Sequence, residues 1–216
     1  MTTDLFSEQM DSTIVFADGA LWLRGFALPD ADAICQMLVA HLDTHPPQQM
    51  MTPMGHKMSV LTTSFGDVGW VGTKKGYGYA KVNPYSQQVF PAMPQMLLDL
   101  ARRAANQAGY SDFVPDTCLV NCYEVGSKMG LHQDKDEEDF SQPIVSVSFG
   151  LPITFLFGGL TRVAQTKKMP LVHGDVLVWG GQSRLCFHGV LALKAGHHPL
   201  LGSRRINLTF RKAGKM

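Results

Sequence analysis

The sequence predicts a mainly β (α+β) fold, in which a sandwich or jelly roll of short strands is braced on one face by two N-terminal helices. After Gly109 the chain is a series of short runs rich in β-branched and aromatic residues, separated by glycines. Before Gly109, two stretches carry apolar residues at helical spacing. A sandwich or jelly roll encloses a cavity between its two sheets. The predicted strands lie at 118–123, 144–149, 153–157, 176–179 and 206–210.

Two helices account for the apolar spacing in the first half of the chain. The first follows Pro29-Asp30, and the second begins between Pro91 and Pro94 and ends at Gly109, which suits a left-handed cap. Two helices are enough to cover one face of a sheet. Their apolar positions are Ile34, Met37, Leu38 and Leu42 in the first, and Met96, Leu97, Leu100, Ala101, Ala104 and Ala105 in the second.

Residues 46–90 have a different composition, with prolines, methionines and glycines followed by aromatic residues interleaved with lysines. One interpretation is an irregular β-hairpin region whose aromatic side chains cover the core. The other is a flexible lid on which a nucleobase stacks, with lysines for phosphates. The sequence leaves both open. The residues concerned are Trp70, Tyr77, Tyr79 and Tyr85, with Lys74, Lys75 and Lys81.

Composition limits the class of protein. The 216 residues are 45% hydrophobic and 17% charged with a net charge of +1, which is typical of one globular domain without a strongly basic field for duplex nucleic acid. The four cysteines form no Cys-x-x-Cys pair, so zinc-finger and thioredoxin-like sites are excluded. No basic, apolar leader and no long apolar run is present, so we expect a cytoplasmic protein without a membrane segment. The absence of a heptad run favours a monomer.

Three residues have the chemistry of one metal site. His132 and Asp134 are two apart and therefore point the same way only on an extended strand, which Gly126 and Gly130 favour over a helix. With His188 they supply two imidazoles and one carboxylate, a set that suits Fe(II) with positions open for co-substrate and oxygen.

A second His-x-Asp motif competes with the first. His173-Gly174-Asp175 also precedes His188, but its Gly-Asp pair is followed at once by an apolar run. Such a pair is typical of a turn entering a strand. We therefore prefer His132 and Asp134.

A further strand near the C-terminus alternates polar and apolar side chains. Arg205, Asn207, Thr209 and Arg211 share one face, opposite Ile206, Leu208 and Phe210. Buried arginines require an anion, and a planar guanidinium holds a carboxylate bidentately. From the pattern alone, a solvent-exposed face with ordinary arginines is an equal alternative. Asn121 and Tyr123 also share a face, with Cys122 on the other.

With these motifs in place, the chain resembles the AlkB family of Fe(II)- and 2-oxoglutarate-dependent dioxygenases, of the bacterial DNA-dealkylating type. The resemblance covers most of the chain from about Met50 onward, and the order and spacing of its motifs make it specific. The motifs are Asn121-Cys122-Tyr123, 131–136, Gly158-Gly159-Leu160, 178–181, His188-Gly189 and Arg205-x-Asn207-x-Thr209-x-Arg211.

The resemblance implies one dioxygenase domain over 1–216, with a nucleotide-recognition lid at about 46–90 and a double-stranded β-helix (jelly-roll) core at about 115–212. It implies Fe(II) held by His132, Asp134 and His188, with 2-oxoglutarate and O2 as co-substrates. The resemblance implies four catalytic residues, namely the three metal ligands and Arg211. The implied 2-oxoglutarate residues are Asn121, Cys122, Tyr123, Arg205, Asn207 and Arg211, although Cys122 should point away.

The resemblance also implies a substrate. Alkylated DNA, single-stranded by preference, would be oxidatively demethylated at 1-methyladenine or 3-methylcytosine, with release of formaldehyde, succinate and CO2; RNA stays open. Hydroxylation of a small molecule or protein side chain is the alternative function, and a non-catalytic binding module is a second. The implied substrate residues are Trp70, which stacks on the base opposite His132, Tyr77 at the phosphate, Gly78, Tyr79, Asp136 at the exocyclic amine, and Arg162.

Overall fold

The computed structural model describes residues 13–214, which form fourteen strands and two α-helices. The helices are α1 (Ala31–Thr44) and α2 (Gln95–Gln107). The strands are β1 (Thr13–Ala17), β2 (Ala20–Leu23), β3 (Gln48–Met51), β4 (Lys57–Gly66), β5 (Gly69–Thr73), β6 (Gly76–Ala80), β7 (Thr117–Tyr123), β8 (Met129–His132), β9 (Ile144–Gly150), β10 (Ile153–Phe157), β11 (Lys167–Leu171), β12 (Val176–Trp179), β13 (His188–Val190) and β14 (Arg205–Arg211).

Two antiparallel sheets form the body of the protein. The large sheet has the order β1-β2-β12-β9-β14-β7-β4-β3, and the small sheet has the order β11-β10-β13-β8. Apolar side chains from both sheets, including Phe155, Phe157 and Trp179, pack between them. The predicted jelly roll of short strands is thereby confirmed, and every predicted strand is present.

The two helices cover the outer face of the large sheet, as predicted. Ile34 and Leu38 of α1 and Leu97 and Leu100 of α2 are fully buried against the outward-facing side chains of β9 and β14. Helix α2 ends in a Schellman motif at Gly109, whose φ is +85° and whose successor, Tyr110, donates its N–H to the Ala105 carbonyl. Met96 differs from the prediction, since its side chain is exposed on the far side of α2.

Strand β14 lies at the centre of the large sheet, between β9 and β7, and all seven of its residues are buried. Ile206, Leu208 and Phe210 pack beneath the helices, so the polar residues of β14 face the space between the sheets. The alternative of a solvent-exposed arginine face is therefore wrong, and the polar row lines an interior cavity.

The region 46–90 contributes to two different units. Strands β3 and β4 extend the large sheet beyond β7, so that sheet begins well before residue 115, whereas β5 and β6 form a separate two-stranded hairpin. A small cluster of Met50, Val71 and Phe90 fastens the hairpin to the body. The region thus covers the core and also presents a distinct flap, here named the β5–β6 hairpin.

Four strands were not anticipated, namely β1, β2, β11 and β13. They are short, and β11 carries Lys167, Lys168 and Pro170, which suit the edge of a sheet but weaken the sequence signal. Among the described residues, no helix has the length and apolar character needed to span a membrane.

Candidate functional site

A cavity of about 530 Å³ lies between the two sheets and opens beneath the β5–β6 hairpin. That volume is within the usual range for small-molecule sites. Both sheets and the hairpin contribute to its wall, so distant parts of the sequence meet there. Among its lining residues are Trp70, Tyr77, Asn121, Tyr123, His132, Asp134, Asp136, Arg162, His188, Arg205, Asn207 and Arg211.

The middle of the cavity holds the three predicted metal ligands. His132 ends β8 and is the cross-strand partner of His188 on β13, so the two rings lie side by side with centroids 4.4 Å apart. Asp134 follows just beyond the end of β8. One donor atom from each residue lies within 4.8 Å of the others, and no other such group of His, Cys, Asp or Glu occurs in residues 13–214.

Backbone carbonyls fix the orientation of both imidazoles. His132 Nδ1 is 2.9 Å from the Gly130 carbonyl oxygen, and His188 Nδ1 is 3.0 Å from that of Cys186. Because a carbonyl only accepts, each Nδ1 carries the proton and each Nε2 keeps its lone pair. Both Nε2 atoms lie 3.7 Å from the Asp134 carboxylate. Burial, aided by the neighbouring His132, lowers the pKa of His188 to about 4, so its ring is neutral at pH 7.

The Asp134 carboxylate is held by Arg211. Nε and Nη2 of Arg211 donate to Asp134 Oδ2 at 3.0 and 2.7 Å, which leaves Oδ1 facing His132 Nε2. Burial would raise the pKa of Asp134, but Arg211 and then the two histidines outweigh it, and the pKa is lowered. The carboxylate is therefore ionised and aimed, as a metal ligand must be.

The deep end of the cavity carries a buried cation without an anion. Arg205 is 2% exposed, and its Nη2 donates to Ser148 Oγ at 2.9 Å. Its Nε and Nη1 make no hydrogen bond of good geometry within the described residues. Burial lowers the pKa of Arg205, and the neighbouring Tyr123 hydroxyl opposes that shift. Its guanidinium carbon lies 5.1 Å from the centroid of the Tyr123 ring. Unsatisfied buried donors of this kind indicate the position of a bound carboxylate.

Polar residues between Arg205 and the metal ligands are arranged by their own hydrogen bonds. Asn207 Nδ2 donates to Ser146 Oγ at 2.8 Å and to the Val147 carbonyl at 3.0 Å. Asn121 Nδ2 donates to Asn207 Oδ1 at 3.4 Å. Asn121 Oδ1 has no partner within residues 13–214 and faces the cavity.

Cys122 requires a correction as a residue in contact with 2-oxoglutarate. Its side chain lies in the core beneath the helices, on the opposite face of β7 from Asn121 and Tyr123. The alternation of side chains along a strand makes this necessary, as expected from the sequence.

The mouth of the cavity is aromatic. Trp70 and Tyr77, from the two strands of the β5–β6 hairpin, stack with centroids 5.2 Å apart, and Tyr77 is 46% exposed. Trp70 Nε1 donates to Asp136 Oδ2 at 2.8 Å, so the acidic residue is tied to the hairpin and not left in a solvated loop. A Cβ at Gly72 would lie 2.9 Å from the Met51 carbonyl oxygen and 3.3 Å from the Tyr77 ring, so only glycine lets the strand and that ring approach so closely.

Of the other predicted substrate residues, one lies at the rim of the cavity and two lie away from it. Arg162 is exposed at the rim, where its Nη1 donates to the Leu131 carbonyl and its guanidinium lies 5.0 Å from the Phe187 ring centroid. Neither Tyr79 nor Gly78 lines the cavity, so its lining gives no support to their predicted contact with the substrate. The Tyr79 hydroxyl donates instead to Glu137 behind the metal ligands, and Gly78 has no side chain to reach inward.

The competing motif is structural. Gly174 adopts φ +85° in a turn, and Asp175 accepts hydrogen bonds from the backbone N–H groups of Gly25 and Val172. His173 Nδ1 accepts from the Gly150 N–H. These side chains are occupied in fastening the turn before β12.

Several site residues were missed by sequence reasoning. Ser146 lines the cavity from β9, and Ser148 on the same face of that strand accepts the hydrogen bond from Arg205. Their alternation with valines is the same signal that marked β14. Glu137 and Arg184 form a buried ion pair at 2.9 Å beside the metal ligands. No sequence pattern marks that pair, since the two residues are distant in the chain.

Comparison with known proteins agrees with this geometry. The model of the 2OG-Fe(II) oxygenase superfamily matches residues 19–211. The chain is 49% identical over 212 residues to the alpha-ketoglutarate-dependent dioxygenase AlkB of Escherichia coli K12, with 98% of each chain covered. It is 36% identical over 106 residues to the nucleic acid dioxygenase ALKBH1 of Homo sapiens, covering 49% of this chain and 27% of that one.

A solved structure shares the fold. The structure of OsALKBH1 superposes with a TM-score of 0.75 at 30% sequence identity, covering 93% of this chain and 100% of that one. With a matching domain model and a near full-length relative, the chain belongs to the 2OG-Fe(II) oxygenase superfamily and, within it, to the AlkB family of dioxygenases that require Fe(II), 2-oxoglutarate and O2.

Proposed function

We propose that the protein oxidatively demethylates N-alkylated nucleobases in DNA, with 1-methyladenine and 3-methylcytosine as substrates. One observation carries the proposal, namely three groups that line a single cavity and are progressively less exposed to solvent. Tyr77 of the stacked aromatic pair is 46% exposed, the Asp134 side chain of the His-Asp-His cluster is 10% exposed, and Arg205, with its unsatisfied donors, is 2% exposed. That order suits a flat base, a metal ion and a dicarboxylate in series.

The residues in the middle of the cavity fit Fe(II). His132 and His188 offer Nε2 lone pairs and Asp134 offers a carboxylate oxygen, which is the donor set of the iron oxygenases. When bound, the iron supplies with 2-oxoglutarate and O2 the oxidation of the N-methyl carbon. Arg211 has the task of keeping Asp134 ionised and oriented.

Arg205 and Arg211 have different roles in this proposal. Arg211 already donates twice to Asp134, whereas Arg205 has two unpartnered N–H groups at the closed end. We therefore assign the far carboxylate of 2-oxoglutarate to Arg205. Asn121, Asn207 and Tyr123 line the space between that carboxylate and the metal ligands.

At the mouth, Trp70 and Tyr77 offer an aromatic surface for a base taken out of its stack. Asp136 places a carboxylate beside that surface, which complements the positive charge of 1-methyladenine and 3-methylcytosine. Lesions with a blocked pairing edge cost less to extrude, which adds to selectivity. The exposed guanidinium of Arg162 at the rim is placed to bind the DNA backbone beside the extruded base.

The remaining roles follow from the chemistry of the lesion. Oxidation of the N-methyl carbon gives an unstable hydroxymethyl group that leaves as formaldehyde, so the base is restored while 2-oxoglutarate becomes succinate and CO2. Single-stranded DNA is the preferred substrate in this proposal, RNA a further one, and the protein acts as a cytoplasmic monomer.

The test is the dependence of succinate formation on nucleic acid. Protein with Fe(II), 2-oxoglutarate and O2 is incubated with an oligonucleotide containing 1-methyladenine, or with the same oligonucleotide unmethylated. Succinate stimulated only by the methylated strand supports the proposal. Succinate formed equally with both would overturn it and favour a small-molecule or protein hydroxylase.

A further inference from the structure

A buried carboxylate that does not itself line the cavity connects the β5–β6 hairpin to the metal ligands. The Glu137 side chain is 1% exposed and has three partners. Arg184 Nη2 lies 2.9 Å from Oε2, while the Tyr79 hydroxyl donates to Oε1 and Arg211 Nε lies 3.6 Å from Oε1. Burial of a charge is costly unless it is paired, so these contacts hold the carboxylate in one position.

The cationic partner of Glu137 fixes the backbone that carries the metal ligands. The Arg184 side chain is 3% exposed, and its Nη1 donates to the Asp134 carbonyl at 2.7 Å. Its Nε donates to the Gln142 carbonyl at 2.9 Å. Arg184 therefore clamps both ends of the segment 134–142, here named the Asp134 loop, and it also lies just before His188 in the chain.

The hairpin contacts the Asp134 loop at two consecutive residues. Trp70 and Tyr79 are cross-strand partners in the β5–β6 hairpin, so their side chains share one face. Trp70 Nε1 donates to Asp136, and the Tyr79 hydroxyl donates to the adjacent Glu137. The hairpin is thus fastened to the loop that presents Asp134.

We propose that Glu137 is a positioning residue that couples docking of the β5–β6 hairpin to the metal site. When the hairpin is docked, Tyr79 and Arg184 hold Glu137, and Glu137 and Asp134 together hold Arg211. Asp134 is then oriented through its carbonyl by Arg184 and through its carboxylate by Arg211. Coupling of this kind is reciprocal, so metal binding favours the docked hairpin and docking strengthens metal binding. The inference rests on the proposed metal ligands.

The test uses Tyr79→Phe, which removes one hydroxyl and keeps the ring. Tyr85→Phe is the matched control, because the Tyr85 hydroxyl also donates within the hairpin region, to the Gly72 carbonyl at 2.7 Å, but has no contact with the Asp134 loop. Co²⁺ alone is the probe, without oxygen chemistry or nucleic acid. Its affinity is measured by titration, and amide hydrogen exchange of residues 69–80 is followed with and without the metal.

The expected result is that Co²⁺ slows exchange of the hairpin in the wild type and in Tyr85→Phe, but not in Tyr79→Phe. Co²⁺ affinity should fall roughly tenfold in Tyr79→Phe, as is typical when the support of a metal ligand is removed. Glu137→Gln should give the same loss or a larger one. Equal Co²⁺ affinity and equal exchange in the two tyrosine variants would overturn the proposal, whether or not nucleic acid is a substrate.

Discussion

Replacement of Arg205 by methionine is expected to change the stability of the metal-free protein and its affinity for 2-oxoglutarate in opposite directions. Arg205 is fully buried, and its Nε and Nη1 lack partners within the described chain. Methionine is unbranched and uncharged, and it adapts to irregular space. The variant therefore removes a buried, incompletely paired charge without opening a large cavity.

The magnitude follows from the hydrogen bonds. Each unsatisfied buried donor costs about 1–3 kcal/mol, whereas loss of the bond to Ser148 costs about 1 kcal/mol. The free energy of unfolding of the ligand-free variant should thus be about 2 kcal/mol higher than that of the wild type, which for a chain of this size raises the Tm by about 4–8 °C. Loss of two charge-assisted bonds to a carboxylate should weaken 2-oxoglutarate binding by about 3 kcal/mol or more, at least about a hundredfold.

The assay pairs thermal unfolding of the apo-protein with calorimetric titration of 2-oxoglutarate into the Co²⁺-loaded protein. Arg204→Met is the control, because Arg204 is exposed, adjacent in sequence and outside the cavity. Neither the Tm of the apo-protein nor the affinity for 2-oxoglutarate should change much in Arg204→Met. An Arg205→Met protein that is less stable without ligand and binds 2-oxoglutarate normally would refute the assignment of Arg205.

Two further substitutions test the mouth of the cavity, and a third tests a buried histidine outside the site. Tyr77→Ala should remove the ring that stacks on Trp70 and weaken binding of a methylated oligonucleotide several-fold without changing 2-oxoglutarate affinity. Gly78→Ala is its control on the same strand: the added Cβ would meet nothing within 4 Å, so this variant should bind normally by fluorescence titration. Asp136→Asn keeps the acceptor for the indole but loses the charge, so turnover of cationic lesions should fall roughly tenfold relative to a neutral lesion in competition assays. Burial, and then the neighbouring His45, lower the pKa of His41 from 6.5 to about 4. As the pH drops from 6.5 towards 4, the unfolded protein therefore binds a proton at this histidine before the folded protein does, and the stability of the fold decreases. His41→Leu should reduce that fall by on the order of 1 kcal/mol in denaturant titrations at pH 7 and pH 5; equal pH slopes would contradict this reading.

The sequence was most informative where strand alternation and chemistry coincide. The row Arg205, Asn207, Thr209, Arg211 could be placed on one face by parity, and the pair His132 and Asp134 by the same rule. Which face lies inward could not be decided for β14 from its pattern. That depended on the helices, whose apolar residues cover the opposite face of the sheet.

What the sequence could not supply was contact between distant segments. Tyr79 resembles a lid aromatic like Tyr77, yet it turns towards Glu137, since Glu137 is buried against Arg184. An acidic run such as 136–139 has the pattern of a solvated loop, and only the arginine from a remote turn explains why Glu137 is buried. Sequence spacing carries no information about such pairings.

The most direct test of the account is a mass spectrum of a single-stranded oligonucleotide containing 1-methyladenine after incubation with the protein, Fe(II), 2-oxoglutarate and air. We predict loss of one methylene's mass, which disappears when 2-oxoglutarate is omitted or when Asp134 is replaced by alanine. An unchanged oligonucleotide, or a loss that persists in Asp134→Ala, would contradict the account.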